Sequence, residues 1–317
     1  MARAHKPERR QDAWNRASDW AWDRAFRALL WLALRLPYRT RIPAFGWLAA
    51  HVAGPIAGGP RRIAENLAYV WPDLPAPRRR AIARGAMDNA GRLLIENYSR
   101  ADFPARAARA RPRGPGLADL AAARAAGRPA ILLTAHLGNY EAARLALAAR
   151  GHEIGGLYRP MANPWFNAHY AATMEGLSGP VFAQTAQGMR GLLRYLRGGG
   201  TAMMLADLYV GGGTELPFLG RPAMTATSAA EVALKLGALL VPVYGIRQPD
   251  GLGFDIVVEA PIPASDPVTM TAAYNASVSA RIEAHPEQWY WMHRRWKRRK
   301  ARGDVPAATL SRGRWRR

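Results

Sequence analysis

The sequence predicts an α/β sandwich around a mostly parallel sheet, preceded by a helical N-terminal part. Three observations carry this. From residue 117 onward, short apolar runs such as Ala130-Ile131-Leu132-Leu133-Thr134 and Ala202-Met203-Met204-Leu205-Ala206 alternate with longer amphipathic stretches. That is the pattern of strands buried on both faces and joined by helices. Before residue 111 the chain shows helical periodicity without such runs, and the segment RPRGPG at 111–116 separates the two regimes.

The elements follow in order. Helices are predicted over 12–36, 60–71 and 76–100, punctuated by Pro72, Pro75 and Pro77. A helix at 117–126 precedes the strand 130–134, and another spans 140–150. A strand near 153–157 comes next, then helices at 163–176 and 187–197 flanking an extended piece at 180–184. The strand 202–206, a helix at 226–237, strands at 239–244 and 254–258, and a helix at 268–284 complete the pattern. The expected organisation is a disordered stretch 1–11, a helical membrane-associated region 12–110, an α/β domain 111–303 and a basic tail 304–317.

Composition narrows the chemistry. There are no cysteines, which removes thiolate nucleophiles, disulfides and Cys-based zinc sites together. Lys and Arg number 45 against 23 Asp and Glu, a net charge of +22, so the field attracts anionic lipid headgroups, acidic proteins or nucleic acid. The N-terminus lacks the apolar stretch of a secretory signal. The first apolar run, 25–36, is interrupted by Arg27 and Arg35, and the second, 42–58, by Pro43, His51, Gly54 and Pro55. Both fall short of the roughly 20 apolar residues that span a bilayer.

The helix over 12–36 interleaves Trp14, Trp20, Trp22, Phe26, Leu30, Trp31 and Leu34 with Arg16, Arg24, Arg27 and Arg35. Tryptophan beside arginine on an amphipathic helix suits an anionic membrane interface. The expectation is that Trp20, Phe26, Leu30 and Leu34 enter the lipid while the arginines reach its phosphates. The C-terminal basic stretch, beside Trp289, Trp291 and Trp296, fits the same surface better than nucleic acid, because no nucleic-acid module is visible.

The strongest chemical signal is Thr134-Ala135-His136-Leu137-Gly138-Asn139-Tyr140-Glu141. A strand ends, His136 sits in the turn, Gly138 permits a tight bend and a helix begins. Within a regular helix, residues five apart point about 140° apart, so His136 and Glu141 meet only across a strand-to-helix corner. Such a pair makes a general base and the carboxylate that orients it. No cysteine and no Gly-x-Ser-x-Gly elbow supplies a nucleophile, which points to direct attack by the acceptor's own hydroxyl.

This corner resembles the His-x4-Asp/Glu motif of the glycerolipid acyltransferases, and four further blocks are similar to the lauroyl and myristoyl acyltransferases of lipid A biosynthesis. They are Leu157-Tyr158-Arg159-Pro160-Met161-Ala162-Asn163-Pro164, Gly188-Met189-Arg190-Gly191-Leu192-Leu193, Ala206-Asp207 through Pro217-Phe218-Leu219-Gly220, and His285-Pro286-Glu287-Gln288-Trp289-Tyr290-Trp291-Met292-His293-Arg294-Arg295-Trp296-Lys297. The resemblance implies a glycerolipid-acyltransferase-like fold. It also implies transfer of an acyl chain from acyl carrier protein, or from acyl-CoA, to a hydroxyl of a lipid A precursor at the cytoplasmic face of the membrane, without metal or other cofactor. A related branch acylates phosphatidylinositol mannosides from acyl-CoA and shares the His-x4-Glu corner.

The family's base falls on His136 and its carboxylate on Glu141. Arg159, Asn163, Arg190 and Asp207 are candidates for binding substrate or an oxyanion. Arg159 suits a phosphate or a developing oxyanion. Asn163 supports the same loop, and Arg190 is a second anion site or an exposed helix residue. Asp207 orients Arg159, orients a substrate hydroxyl, or caps the Gly211–Gly213 loop. Where the lipid A enzymes often carry an acid or amide after this aspartate, Leu208 and Tyr209 follow, which leaves the glycolipid acceptor open. The alternative of a catalytically idle basic membrane- or nucleic-acid-binding protein is disfavoured by the intact His136 and Glu141.

Overall fold

The structure is a computed structural model that describes residues 8–297, with side chains from residue 16. The expected basic tail 304–317 and the first seven residues lie outside the described part. The N-terminal helices are α1 (Glu8–Leu34), α2 (Tyr38–Leu48), a π-helical turn (Ala49–Ala53), α3 (Gly54–Ile56), α4 (Gly59–Val70), α5 (Ala76–Tyr98) and α6 (Phe103–Arg109). The first helix thus starts inside the stretch 1–11 expected to be disordered. No helix among the described residues is long and apolar enough to cross a membrane.

The strands are β1 (Pro112–Arg113), β2 (Ala130–Thr134), β3 (Ile154–Tyr158), β4 (Val181–Ala183), β5 (Thr201–Leu205), β6 (Thr214–Phe218), β7 (Arg221–Thr225), β8 (Leu239–Arg247) and β9 (Phe254–Val258). The remaining helices are α7 (Gly116–Ala125), α8 (Tyr140–Ala148), α9 (Pro164–Glu175), α10 (Ala186–Arg197), α11 (Ser228–Leu236) and α12 (Pro267–Ala284). Seven strands form one sheet in the order β1-β9-β8-β2-β5-β3-β4. It is parallel throughout except between β8 and β9.

Period-two alternation distributes the apolar strands between two cores. On β2, Ile131 and Leu133 face one side and Ala130 and Leu132 the other; on β8, Leu240 and Tyr244 are opposed to Val241 and Val243. The first side is covered by α10, α11, α12 and the C-terminal tryptophans, through Leu192, Ala230, Tyr274, Val278, Trp289 and Trp291. The second is covered by α6 and α8 with the N-terminal helices, through Phe103, Ala142, Ala146, Ile95 and Leu30. This is the layered α/β arrangement that the alternating pattern predicts.

Several elements depart from the sequence reading, which placed no helix over α2 or α6. The Pro/Gly-rich segment read as a separator contains β1, which pairs with β9 at the sheet edge. Residues 214–225 form a separate antiparallel hairpin, β6–β7. Pro217 and Pro222 sit inside it, and proline in a run argues against a strand; here the hairpin lies outside the main sheet. Its turn has positive φ at both Leu219 and Gly220, the backbone of a two-residue hairpin.

The helical N-terminal part is joined to the sheet by buried polar contacts. Glu96 of α5 makes a two-pronged ion pair with Arg247 at the end of β8, with Nη2 2.7 Å from Oε2. Asn89 accepts from Arg247 Nε at 2.9 Å and donates to the carbonyls of Gly138 and Gln288. Breaking a buried pair of this kind leaves an uncompensated charge, at a cost of about 3–5 kcal/mol.

The outer surface of this part differs from the expected one. Leu30 is buried in the core and Phe26 packs edge-on against Tyr98 and Phe166. Arg27 turns inward to Asp23 at 2.8 Å. Of the expected residues Trp20 and Leu34 are exposed, and the exposed apolar side also holds Trp22, 74 % exposed, with Leu29, Trp31, Leu32 and Leu36. It continues through Trp47 and Val52 to Ile56, 83 % exposed.

Candidate active site

His136 and Asp207 emerge from neighbouring parallel strands. Thr134 of β2 is in register with Leu205 of β5, and each functional residue follows two positions later. Chemistry in open α/β sheets collects at such carboxyl ends. The Tyr274 hydroxyl donates to the Thr134 carbonyl at 2.6 Å and pins the end of β2. Beyond it the corner is held from both sides. Gly138 N donates to Gln288 O, Asn139 N to Gly245 O, and Tyr290 N to His136 O. Gly138 has φ 57°, and a Cβ there would stand 2.0 Å from the Gly245 carbonyl oxygen, so the bend requires glycine. Asn139 then caps α8 by accepting from Glu141 N at 3.0 Å, while its amide donates to Glu96 at 2.8 Å.

The carboxylate on the His136 ring is that of Asp207, where the sequence reading expected Glu141. Nδ1 of His136 lies 2.9 Å from Asp207 Oδ1. Asp207 Oδ2 accepts from the His136 backbone N–H at 2.9 Å and from the Trp289 indole at 2.8 Å. Burial works against the Asp207 charge, yet His136 and these hydrogen bonds hold its carboxyl well below the usual range. An ionised Asp207 accepts, so Nδ1 carries the hydrogen and the Nε2 lone pair is left free.

Glu141 occupies the first turn of α8, where it forms a 2.7 Å ion pair with buried Arg144. Arg144 also donates to the carbonyls of Ile154, Met174 and Ser178, so it ties α8 to β3 and α9. Geometry accounts for the separation: the α8 start directs Glu141 toward the β3 side of the corner while the strand end delivers His136 to β5. The expectation that Asp207 orients Arg159 or caps the glycine loop is likewise replaced by its contact with His136.

The other candidates divide. Arg159, exposed just beyond β3, lines the same cavity as His136 and Glu141 and has no hydrogen-bond partner among the described residues. Asn163 is not among the residues lining that cavity. It caps α9 by accepting from Trp165 N and Phe166 N, each at 3.0 Å, and donates to the Asp19 carbonyl, so its amide is used in fastening α9 to α1. Arg190 is exposed on α10 and is also absent from the cavity wall.

Two cavities meet at His136 and Tyr140. One, of about 420 Å³, is an apolar groove formed by Ala53, Gly54, Met87 and Leu94 of the N-terminal part with Tyr290 and Met292. The other, of about 350 Å³, has Arg159 at its rim, Glu141 and Arg144 in its wall, and Met174, Met203 and Met204 among its apolar lining. His293 completes the surroundings. Its ring centroid is 4.6 Å from those of both His136 and Tyr290. Burial and the neighbouring His136 push its pKa down to about 4, so it is neutral at pH 7 and adds no charge beside the His136 ring.

A strand-end histidine, held by a buried aspartate where two cavities meet, fits a group-transfer enzyme. Residues 12–298 match the family model described as bacterial lipid A biosynthesis acyltransferase. The chain belongs to that family and is an acyltransferase. It is 25% identical over 277 residues to the lipid A biosynthesis lauroyltransferase of Escherichia coli (strain K12), covering 86% of this chain and 90% of the relative. It is 26% identical over 287 residues to the phosphatidylinositol mannoside acyltransferase of Mycobacterium tuberculosis (strain ATCC 25618 / H37Rv), covering 88% and 89%. A lipid A biosynthesis acyltransferase of Haemophilus influenzae is 25% identical over 265 residues, covering 80% and 82%.

The partner of His136, with Trp289 and His293, was beyond sequence reasoning. The parallel endings Leu133-Thr134-Ala135-His136 and Met204-Leu205-Ala206-Asp207 hold the signal for the first: two buried strands, each with a polar residue two positions past its end. Using it requires knowing that β2 and β5 are neighbours.

Proposed function

We propose that this enzyme transfers a fatty acyl chain from acyl carrier protein to a hydroxyl of a lipid A precursor, with His136 as general base. The carrying observation is the 2.9 Å contact of His136 Nδ1 with Asp207, which leaves Nε2 at the meeting of two cavities. The acceptor, entering from the bilayer, lays its chain in the apolar groove and brings its hydroxyl to Nε2. The donor chain lies among Met174, Met203 and Met204, whose flexible side chains adapt to an alkyl chain.

Nε2 takes the hydroxyl proton as the oxygen attacks the thioester carbonyl. A C–O bond forms and Arg159 stabilises the oxyanion. The C–S bond then breaks, and the imidazolium returns its proton to the leaving thiolate. Asp207 balances the imidazolium throughout. No acyl-enzyme forms, so the kinetics follow a ternary complex. Glu141 acts through Arg144, which sets the wall of the donor cavity.

The membrane placement we propose is the cytoplasmic face of the cytoplasmic membrane, peripheral or monotopic. Exposed Trp22, Trp31, Trp47 and Ile56 support it, since clustered apolar side chains on a basic surface suit an anionic interface. The segment carrying Val52 and Ile56 also supplies Ala53 and Gly54 to the groove. The test is mass spectrometry of total lipids from cells with and without the protein, and with His136→Ala. Addition of one acyl group to lipid A, lost in the variant, is the expected result; near-normal transfer by His136→Ala overturns the mechanism. The full-length similarity to mannoside acyltransferases favours a second reading, an acyl-CoA-dependent enzyme acting on another glycolipid, which the same spectra would reveal as acylation of that lipid instead.

A further inference from the structure

A third cavity borders the site. Between α4 and the C-terminal segment lies a cleft of about 1220 Å³, with Arg61, Arg62, Arg294 and Lys297 in its wall. Its acids are Glu65 and Glu215, and Glu65 is already paired with Arg61 at 3.1 Å. Arg295 belongs to the wall itself, donating inward to the Met224 carbonyl and to the Thr225 hydroxyl. Asn66 of α4 donates to the carbonyls of Trp291 and His293, at 2.7 and 2.9 Å. The two basic sides are thereby held at a fixed spacing.

The cleft connects to the chemistry. Tyr209 lines both it and the donor cavity, and Lys297 Nζ stands 4.5 Å from the Tyr209 ring centroid. Arg62 is close enough to Tyr290 to oppose the rise that burial imposes on its hydroxyl, and the Tyr290 ring lies 6.4 Å from that of His136. The methionines, His136 and Tyr209 thus line one cavity, and Tyr209 and a set of cations line the next. A phosphopantetheine thioester has the same order of parts: alkyl chain, reacting carbonyl, amide-bearing arm, phosphate. Arginines bind phosphate by charge-assisted hydrogen bonds.

We propose that this cleft holds the phosphate of the acyl donor's phosphopantetheine arm on Arg62 and Arg294, with Tyr209 and Lys297 at the neck through which the arm passes. The inference rests on the thioester-donor reading above. The site binds the part common to coenzyme A and to a carrier protein's prosthetic group.

The test is titration of the full chain with S-alkyl 4′-phosphopantetheine thioethers of twelve to sixteen carbons, beside the same thioethers of pantetheine, which differ only in the phosphate. The phosphate is expected to tighten binding by about tenfold or more. An Arg62→Ala/Arg294→Ala variant loses that increment and binds the pantetheine thioethers as the parent does. Arg62→Lys/Arg294→Lys, which keeps both charges, retains part of it and guards against a mere folding defect. Equal binding of both probes by the parent, or an undiminished phosphate increment in the alanine variant, overturns the site. Binding of neither probe by the parent overturns the site and the donor reading together; acyl transfer by a parent indifferent to the phosphate leaves the donor reading standing alone. Parallel transfer assays with acyl carrier protein and acyl-CoA identify the source of the arm, since the variant's raised KM falls on the donor that the parent uses.

Discussion

Asp207 grips His136 twice, through the ring Nδ1 and through the backbone N–H, each at 2.9 Å. One carboxylate therefore fixes both where the histidine backbone lies and which ring nitrogen is free. Asp207→Asn keeps the volume but presents an amide that can force the other tautomer. We expect kcat to fall by about 10²- to 10⁴-fold with little change in KM. A fall in KM as large as that in kcat, or near-parental turnover, would show that the tautomer is set elsewhere.

Trp289 supplies another donor to the same carboxylate. Trp289→Phe removes it while retaining most of the buried ring. With that donor gone the carboxylate is held less firmly against the His136 ring, and kcat is expected to drop by about tenfold. Parental kcat in this variant would argue against this coupling.

Glu141 and Arg144 make the contrasting case. Arg144→Ala leaves a buried carboxylate without its partner and removes one donor from the carbonyls of Ile154, Met174 and Ser178. It should cost about 3–5 kcal/mol of stability, read as a lower Tm. Glu141→Gln keeps an acceptor for Arg144 and should stay within about tenfold of parental turnover. Loss of activity by Glu141→Gln as complete as that of His136→Ala, at unchanged Tm, would instead place this carboxylate in the chemistry.

His293 links pH to stability. Its folded pKa, pushed down to about 4, lies below the unfolded value near 6.5. The unfolded chain therefore binds a proton that the native state refuses between those values. The contribution is complete above about pH 6.5 and is lost toward pH 4, at no more than about 1.4 kcal/mol per pH unit for this group. His152 and His169 are also pushed down, chiefly by burial, so the informative quantity is the difference in slope between His293→Asn and the parent in denaturant melts. Parallel slopes would contradict the burial argument.

For the membrane, Trp22→Ser/Trp31→Ser/Ile56→Ser should weaken cosedimentation with anionic vesicles by about tenfold or more, and salt should weaken the parent further. Turnover of detergent-dispersed acceptor should survive. Resistance of the parent to alkaline carbonate extraction, with residues before Arg16 cleavable only from the far side, would mean a spanning segment.

The sheet was legible where burial leaves a plain mark. The strands 130–134 and 254–258 lie where their apolar runs predict, and Gly138 marks the bend after His136. Other features were hidden for identifiable reasons. The direction in which α1 faces depends on Tyr98 and Phe166, which approach Phe26 from distant segments. The β6–β7 hairpin contains two prolines and pairs only with itself. The partnership of His136 with Asp207 spans 71 residues and exists only because β2 and β5 are adjacent. Glu141 is near His136 in sequence, but its ion pair is with Arg144, three residues along α8.

The Glu96–Arg247 clamp, with Asn89 beside it, has a mechanical consequence. Helix α5 is bolted to the end of β8, and through Asn89 to the corner that carries His136, so the N-terminal helices and that corner are held at a fixed separation. On the proposed membrane surface, the enzyme then works at a set height, and the lipid must rise to meet it. The same joint makes residues 111–297 a poor candidate for separate expression: removal of α5 would strand Arg247 in the core, and the excised sheet would unfold or aggregate instead of acting as a small soluble catalyst.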